Sequence, residues 1–265
     1  MKVYISADIE GVSGIVNWDE ATRWKPDYNA FSFQMMKEVI AACEGSCNAA
    51  ASEIWIKDAH GVGRNLSFDG LPESARLIRS FSGHPFGMMQ EIDNSFDAVI
   101  MIGYHTFAGS DGSPLAHTLE TDLAYLRVNG MLASEFLINS YTASYVGVPV
   151  VFVSGDFELG EHVKGINPEI RFVGLNKGIG NSIIAIHPNS AIELIRTGVE
   201  ASLKGDLEKC TIPLPNSFNV ELSFINHTKA YRASFYPGMK KVSSTNLMFY
   251  TEDYFEVLRM LNFVL

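Results

Sequence analysis

The sequence predicts an α/β fold: a mostly parallel sheet with flanking helices, plus a smaller C-terminal α+β layer. The main observation is a set of four apolar runs, each of which ends in residues able to bind metal and is followed closely by glycine. These runs are Val3–Glu10, Ile54–His60, Val99–His105 and Val150–Asp156. Continuous apolar runs are typical of parallel strands that are covered on both faces, and helix-like segments alternate with the runs here.

The first half of the chain is predicted to alternate between strands, loops and helices. Apolar residues at helical spacing indicate the first long helix, and continuous apolar stretches indicate strands. Residues rich in Gly, Ser, Asp and Pro mark loops, and an Asn-Gly pair marks a turn. The elements predicted in this way are a helix over about 29–51, strands at 53–58, about 75–81, 97–103 and 123–128, and a loop at 109–114.

The second half contains clear helix boundaries. Ser134 is a candidate N-cap, Glu135 lies in the first turn of that helix, and Gly147 is a candidate stop. Pro188 opens the next predicted helix, which ends near Gly205. The remaining predicted elements are a strand at 148–154, a linker or edge at 210–215, strands at 220–224 and 242–250, and a final helix capped by Thr251 that runs to 261.

The pattern changes near residue 205, and this change predicts two regions. Residues 1–205 are assigned to an α/β metal-binding catalytic domain. Residues 206–265 are assigned to a smaller α+β layer, because apolar and polar residues alternate there as in a half-buried strand. Part of 117–133 is a further candidate member of this layer.

Length and composition limit the function. The chain has 265 residues, of which 47% are apolar and 19% charged, so it can bury a sizeable core. Thirty acidic residues against twenty basic ones give a formal charge of −10, which opposes nucleic-acid binding. Asp8 interrupts the apolar stretch that a signal peptide needs, and no run approaches the roughly 18 apolar residues of a membrane span. We therefore expect a soluble, cytoplasmic protein that binds neither nucleic acid nor membrane.

The three cysteines are sparse and odd in number, as in a reduced cytosolic protein. Cys43 and Cys47 lie four residues apart in a helix-like segment and so share a face. The apolar residues around them predict two buried structural thiols rather than a metal site or a disulfide.

Acidic and histidine residues lie at the ends of the predicted strands. Asp8 and Glu10 are two positions apart, so both side chains point to the same side of the sheet, and Asp58 and His60 repeat this spacing. His105 adds a second imidazole from a third strand. In an open α/β sheet the carboxyl ends of the strands converge on one crevice, and this set of oxygen and nitrogen ligands suits zinc better than manganese or iron. The alternative is a group of polar strand ends, each satisfied by the local backbone.

Six short motifs occur in order along the chain. They are Asp8-Ile9-Glu10-Gly11-Val12-Ser13-Gly14, Asp58-Ala59-His60, Gly103-Tyr104-His105, Ala116-His117-Thr118, Ser134-Glu135 with Asn139, and Ala230 with Ala233, Pro237 and Gly238. This series resembles the D-x-E-G-[IV]-S-G, D-[SA]-H, G-Y-H, S-H-S, G-E-x-x-x-N and A-x-x-A-x-x-x-P-G motifs of the binuclear-zinc D-aminopeptidases, the type encoded with bacterial dipeptide permeases. The resemblance spans nearly the whole chain.

The resemblance implies a site, an activity and an assembly. The implied ligands of two zinc ions per subunit, with Asp8 bridging, are Asp8, Glu10, His60, His105 and Glu135. His117 is the implied catalytic residue, as a general base and acid or as a nucleophile. The implied activity is hydrolysis of short peptides from the N-terminus with a preference for D-amino acids such as D-Ala. The implied assembly is a homo-oligomer, known in the family as a ring of ten subunits, and the apolar segment 261–265 is the kind of surface a subunit contact covers.

The residues alone leave some of these assignments open. Without the resemblance, Glu135 is an ordinary carboxylate at a helix start, and His117 is a surface histidine after a loop. Asp58 and Asp156 are candidates to orient the ligand histidines, and for Asp156 a plain turn role is an equal alternative. Lys177 is interpreted as a solvated surface lysine rather than a binder of the substrate carboxylate.

The chain departs from the family pattern around the site. Thr106 and Phe107 stand where small residues are usual, and Ser134 replaces a glycine. We expect Thr106, Phe107 and Leu119 to reshape the substrate pocket and the ligands to be unaffected.

Two other functions remain open. One is a different binuclear hydrolase, acting on another amide or on an ester. A phosphate ester would need a basic anchor, for which only Lys177 or Arg127 is even loosely placed. The second is a zinc-stabilised, non-catalytic oligomer with closed coordination and no role for His117.

Overall fold

The computed structural model describes residues 1–265, and strands alternate with helices along most of the chain. In chain order the elements are β1 (Lys2–Ala7), α1 (Trp18–Ala21), α2 (Tyr28–Asn48), β2 (Glu53–Asp58), β3 (Ala75–Ile78), β4 (Ala98–Tyr104), β5 (Leu123–Val128), β6 (Met131–Leu132), α3 (Glu135–Tyr145), β7 (Val150–Asp156), α4 (Phe157–Ile166), β8 (Arg171–Ile179), β9 (Ser182–Ala185), α5 (Pro188–Leu203), β10 (Phe218–Phe224), α6 (His227–Ala233), β11 (Lys240–Lys241), β12 (Asn246–Thr251) and α7 (Tyr254–Val264). None of these helices is both long enough and apolar enough to span a membrane.

The larger sheet has seven strands in the order β3-β2-β1-β4-β7-β8-β9. All neighbouring strands are parallel except the last pair, β8 and β9, which form an antiparallel edge. Every residue of β4 and β7 is buried, because helices cover the sheet, with α2 and α5 packed against each other. The prediction of a mostly parallel sheet with flanking helices is confirmed.

The smaller sheet has five strands in the order β11-β12-β10-β5-β6, and all its pairings are antiparallel. It combines strands from the last part of the chain with β5 and β6. We infer that residues 206–265, joined by 123–132, form the smaller layer beside a catalytic domain within 1–205.

Seven elements were absent from the sequence prediction. Three of them, α4, β8 and β9, lie between β7 and α5, and the other four are the short helices α1 and α6 and the two-residue strands β6 and β11. β8 carries Gly174, Asn176 and Gly178, residue types that are depleted in strands, and the strand pairs here for reasons of tertiary packing. α4 contains Gly160 and Gly165, which weaken the helical pattern.

Several predicted boundaries were wrong. The strand at 242–250 begins only at Asn246, because the hydroxyl of Ser243 accepts hydrogen bonds from the backbone N–H groups of Thr245 and Asn246 and forms a turn there. The final helix is capped by Asp253, whose carboxylate accepts the N–H of Phe255, and not by Thr251. The first long helix ends at Asn48 rather than near 51.

The cysteine prediction was half right. Cys43 is buried, as expected. Cys47 is exposed, because it lies in the last turn of α2, where the helix extends beyond the core. All three cysteines are free thiols.

Candidate metal centre

The five predicted metal ligands lie together at the carboxyl edge of the large sheet. Asp8 and Glu10 follow β1, His60 follows β2, and His105 follows β4; β1 is hydrogen-bonded to both of the other strands. The fifth, Glu135, is the first residue of α3. The three carboxylates and His105 are buried, with at most 3% of any of these residues exposed.

Two glycines allow the β1 and β4 ends to approach closely. A Cβ atom on Gly11 would lie 1.8 Å from the carbonyl oxygen of Tyr104. Gly103 has a φ of +69°, and a Cβ there would lie 2.3 Å from the carbonyl oxygen of Asp8. The N–H of Gly11 donates to the Gly103 carbonyl at 2.8 Å, so backbone bonds hold the two turns together. The glycines that mark these motifs are therefore required by backbone packing.

Asp8 lies between the two predicted ligand histidines. Its Oδ1 is 3.3 Å from Nδ1 of His60, and its Oδ2 is 3.5 Å from Nε2 of His105. Glu10 Oε2 is 3.0 Å from His60 Nδ1, and Glu135 Oε2 is 3.4 Å from His105 Nε2. The residues thus form two adjacent groups that share Asp8.

Backbone carbonyls fix which ring nitrogen of each histidine faces the carboxylates. Nε2 of His60 lies 2.8 Å from the Ala21 carbonyl, and Nδ1 of His105 lies 2.9 Å from the Thr106 carbonyl. A carbonyl oxygen only accepts, so these nitrogens carry hydrogen. In a neutral imidazole the other nitrogen is then a bare lone pair, and here it points at carboxylates. A lone pair facing a carboxylate requires a proton or a metal cation between them.

The residues present fit a metal ion. Glu10 Oε2 and His105 Nε2 are sealed from solvent, yet neither has a hydrogen-bond partner. Two ligands of a tetrahedral zinc ion, each about 2.0–2.1 Å from the metal, lie about 3.3 Å apart. The nitrogen-to-oxygen distances from 3.0 to 3.5 Å agree with this spacing. The mixed nitrogen and oxygen donor set is also one that zinc prefers.

The charges at this centre favour a cation. Burial opposes protonation of His60 and His105, but the surrounding carboxylates outweigh it and raise the pKa of both imidazoles well above the ordinary value. Burial likewise acts to raise the pKa of Glu135, yet the neighbouring histidines lower it to about 2. Glu135 thus stays ionised at neutral pH, and its buried negative charge attracts a cation.

His117 lies beside the group formed by Asp8, His105 and Glu135. Its Nδ1 is 2.9 Å from the Leu115 carbonyl, and its Nε2 is 3.6 Å from Glu135 Oε1. The ring stacks on that of His105 with centroids 4.2 Å apart, and the edge of Trp18 packs against it at 5.1 Å. His105, His117 and Glu135 also offer atoms within 4.8 Å of one another, so His117 is close enough to act as a ligand or as a proton carrier.

The loop after His117 is held by Glu135. Oε1 of Glu135 accepts the backbone N–H of Leu119 at 2.7 Å. Leu119 has a φ of +61°, a strained conformation for a leucine. Without the resemblance, no local signal in the sequence distinguishes Glu135 from a carboxylate that only complements the helix dipole.

Asp58 and Asp156 do not orient the histidine rings. Asp58 accepts the backbone N–H groups of Asn65 and Leu66, and Asp156 accepts those of Thr106 and Leu159. Burial raises the pKa of Asp156 to about 6. Orientation of the ligand histidines by these carboxylates is therefore not observed, because backbone carbonyls hold the rings and the two aspartates hold the adjacent loops. For Asp156 the alternative, a turn role, agrees with its contacts.

A cavity of about 510 Å³ opens on the metal centre. Its walls are mainly apolar and include part of α7. The lining residues are Asp8, Glu10, Trp18, Ala59, His60, Gly61, Phe81, Pro85, Phe86, Gly87, Met88, His117, Leu119, Glu120, Thr121, Glu135, Ile138, Asn139, Leu258, Leu261, Asn262 and Leu265. No lysine or arginine is among them, and Lys177 is exposed elsewhere, as expected.

Of the three residues expected to reshape this pocket, only Leu119 lines it. Thr106 is fully buried, and Phe107 packs its ring edge against His162. Ser134 caps α3 by accepting the N–H of Leu137, and its hydroxyl lies 3.1 Å from Nδ1 of His162. The hydroxyl that replaces the usual glycine therefore supports the start of the helix that carries Glu135.

Glu38 supports the loop after Glu10 from below and gives a stability prediction. Its Oε1 accepts the N–H of Ser13 and an amide N–H of Gln34, both at 2.9 Å. Burial raises its pKa from 4.5 to about 7, although both hydrogen bonds act to lower it. Between these two values the folded state holds a proton that the unfolded state has lost, so this group reduces stability as the pH rises.

Glu38→Gln should remove this loss of stability at high pH, because glutamine does not titrate. The free energy of unfolding of the variant relative to wild type should increase by roughly 2–3 kcal/mol between pH 4.5 and pH 8. Denaturant unfolding across this range is the measurement, with the exposed Glu73→Gln as the matched control. A difference between variant and wild type that does not change with pH would contradict the assignment.

Comparison with known proteins places this chain in one family. A family model described as D-aminopeptidase matches residues 1–263. A D-aminopeptidase of Bacillus subtilis (strain 168) is 26% identical over 258 residues, which cover 97% of this chain and 93% of the relative. A solved structure, described as the Zn-dependent D-aminopeptidase DppA from Bacillus subtilis, a self-compartmentalizing protease, superposes with a TM-score of 0.92 at 24% identity, covering 100% of this chain and 96% of that one. The chain belongs to the D-aminopeptidase family.

Proposed function

We propose that this protein is a zinc-dependent aminopeptidase that removes D-amino acids such as D-Ala from the N-terminus of short peptides. The observation that carries the proposal is the pair of imidazole nitrogens, Nδ1 of His60 and Nε2 of His105, that face buried carboxylates beside a cavity. Family membership supports the peptide substrate and its chirality, and the relative described as Zn-dependent supports the metal.

The distances suggest how two zinc ions would be held in each subunit. We assign Asp8, Glu10 and His60 to one ion, and Asp8, His105 and Glu135 to the other. In this assignment Asp8 would be a ligand of both ions. The backbone carbonyls behind His60 and His105 keep each ring in the tautomer that presents a lone pair to the metal.

When bound, two zinc ions would polarise the scissile carbonyl and supply a water molecule of lowered pKa. His117 is the proposed general base and general acid. The Leu115 carbonyl holds its Nδ1, which leaves Nε2 to take a proton from the attacking water and give one to the leaving amine. The same nitrogen is also placed to attack as a nucleophile.

Two rival functions, a phosphate-ester hydrolase and a closed structural zinc site, explain fewer observations. A phosphate ester needs a cationic anchor, and the cavity has no lysine or arginine in its walls. A purely structural zinc site is closed, whereas this centre lines a cavity of about 510 Å³.

We also propose a homo-oligomer, with ten subunits as the number to test. The relative described as self-compartmentalizing supports assembly, and the exposed side chain of Phe263 on α7 is available for a subunit contact. Sedimentation of the native protein measures the number directly.

Amine release from D-Ala-D-Ala and L-Ala-L-Ala, measured in parallel, tests the proposed activity. Zinc-loaded protein should cleave the D-peptide faster, and chelation should stop the reaction. Equal cleavage of both peptides would contradict the chirality. Cleavage of neither, with zinc bound, would direct the search to other amides and esters.

A further inference from the structure

Asn139 is a polar cavity residue that the proposed mechanism does not use. It lies four residues after Glu135 on α3, so the two side chains are neighbours on one face of the helix. Both line the cavity, although only 3% of Asn139 is exposed. A buried amide that contacts the cavity is oriented either for packing or for recognition, and its hydrogen bonds decide which.

A chain of hydrogen bonds fixes the direction of each donor beneath Asn139. The Ser6 hydroxyl donates to the Met88 carbonyl at 2.9 Å. Since that hydrogen is used, the Ser6 oxygen accepts from the Tyr104 hydroxyl, which lies 2.7 Å away. The Tyr104 hydroxyl, having donated to Ser6, is left to accept.

This direction determines how the Asn139 amide sits. Its Nδ2 donates to the Tyr104 hydroxyl at 2.9 Å and to the sulfur of Met88 at 3.4 Å. Both amide hydrogens are therefore used, and a flipped amide would place two acceptors against each other at Tyr104. The remaining atom, Oδ1, has no partner in the protein and is not sealed in the core, so it faces the cavity.

We propose that Oδ1 of Asn139 accepts a hydrogen bond from the α-amine of the substrate and so makes the site specific for peptides with a free N-terminus. The inference rests on the proposed aminopeptidase function. The cavity-lining carboxylates Asp8, Glu10 and Glu135 are committed to the metal centre in that function. Asn139 is then a fixed, neutral acceptor in the same cavity, one helical turn along α3 from Glu135, and it is available to a donor on the first residue of the substrate. A site built to bond a donor rejects molecules that lack it, because its own acceptor is left unpaired.

Asn139→Leu removes the acceptor at nearly constant size. We expect the KM for D-alanyl-p-nitroanilide and the Kd for D-alaninamide to rise about 10- to 100-fold, with little change in kcat. Asn139→Asp keeps an oxygen facing the cavity and should restore most of the affinity. Tyr104→Phe frees the amide to rotate and should weaken binding less than Asn139→Leu does. Propanamide lacks the amine, so its affinity should be the same for wild type and Asn139→Leu.

Zinc content, thermal stability and the surface variant Asn94→Leu serve as controls. A KM and a Kd that Asn139→Leu leaves unchanged would overturn the inference, as would an equal loss of affinity for propanamide. If Asn139→Leu fails to fold, the other two variants still test the inference. Asn139→Asp should bind D-alaninamide nearly as tightly as wild type, and Tyr104→Phe should bind it more weakly than wild type. Calorimetric binding of D-alaninamide does not require turnover, so it tests Asn139 even if wild type cleaves no peptide, an outcome that would count against the proposed function alone.

Discussion

His117→Ala is expected to lower kcat/KM for D-Ala-D-Ala by about 10²–10⁴-fold, the usual contribution of a general acid–base group. Its Nε2 is 3.6 Å from Glu135, but Glu135 is also held by His105 and by the N–H of Leu119. Removing His117 should therefore leave the other contacts of Glu135 intact. Zinc content should stay at the wild-type value while turnover is lost.

Atomic absorption and peptide hydrolysis, measured on the same preparation, check this expectation. His227→Ala, which removes an exposed histidine at the start of α6, is the control and should behave as wild type. Loss of zinc together with activity would show that His117 is a ligand, which its position in a group with His105 and Glu135 also permits. Retention of full activity would remove it from the mechanism.

Asp8→Asn is expected to have the largest effect on metal content, because Asp8 is the residue that both groups share. The substitution preserves size but removes the charge that faces His60 and His105. Both ions should be lost at micromolar zinc, and kcat/KM should fall by roughly 10³-fold or more, since metal-ion catalysis is worth several kcal/mol.

The control for this variant is Asp111→Asn, an exposed aspartate in the loop after His105. It should keep zinc and activity at wild-type values. Glu10→Gln gives a sharper comparison, because Glu10 lies beside His60 and not between the two histidines. It should lose one ion and keep the other. An Asp8→Asn protein that retained two ions would show that the groups do not share this residue.

The carboxyl edge of the sheet was predictable from sequence. Parallel strands order their ends in space, so Asp8, His60 and His105 could be expected in one crevice once their runs were identified as buried strands. Gly11 and Gly103 also indicate that the ends of β1 and β4 lie close together, because the two turns approach too closely for a side chain at either position.

The rest of the site depends on tertiary contacts that have no local signal. Glu135 reaches the centre from a helix on another part of the chain, and only the resemblance to a family identified it. The carbonyls of Ala21, Thr106 and Leu115 orient the histidines, yet any residue type has a carbonyl. The Asn139 amide is oriented by Tyr104, 35 positions away, and this too could not be inferred from spacing.

The same reasoning explains the errors in the fold. β8 is stabilised by pairing with β7 and β9, which compensates for its glycines and polar residues. Cys47 has helical spacing to a buried residue but lies where α2 ends, so periodicity predicted its face correctly and its burial incorrectly. Local patterns therefore located the strands that carry the site more reliably than the elements at the margins of the sheet.

Anomalous diffraction at the zinc absorption edge, from crystals of the zinc-loaded protein, tests the central claim most directly. The account predicts two peaks per subunit about 3.5–4 Å apart, as in other two-metal sites. One peak should lie among Asp8, Glu10 and His60, and the other among Asp8, His105 and Glu135, with His117 outside bonding distance of both. A single peak, or two peaks that do not share Asp8, would contradict it.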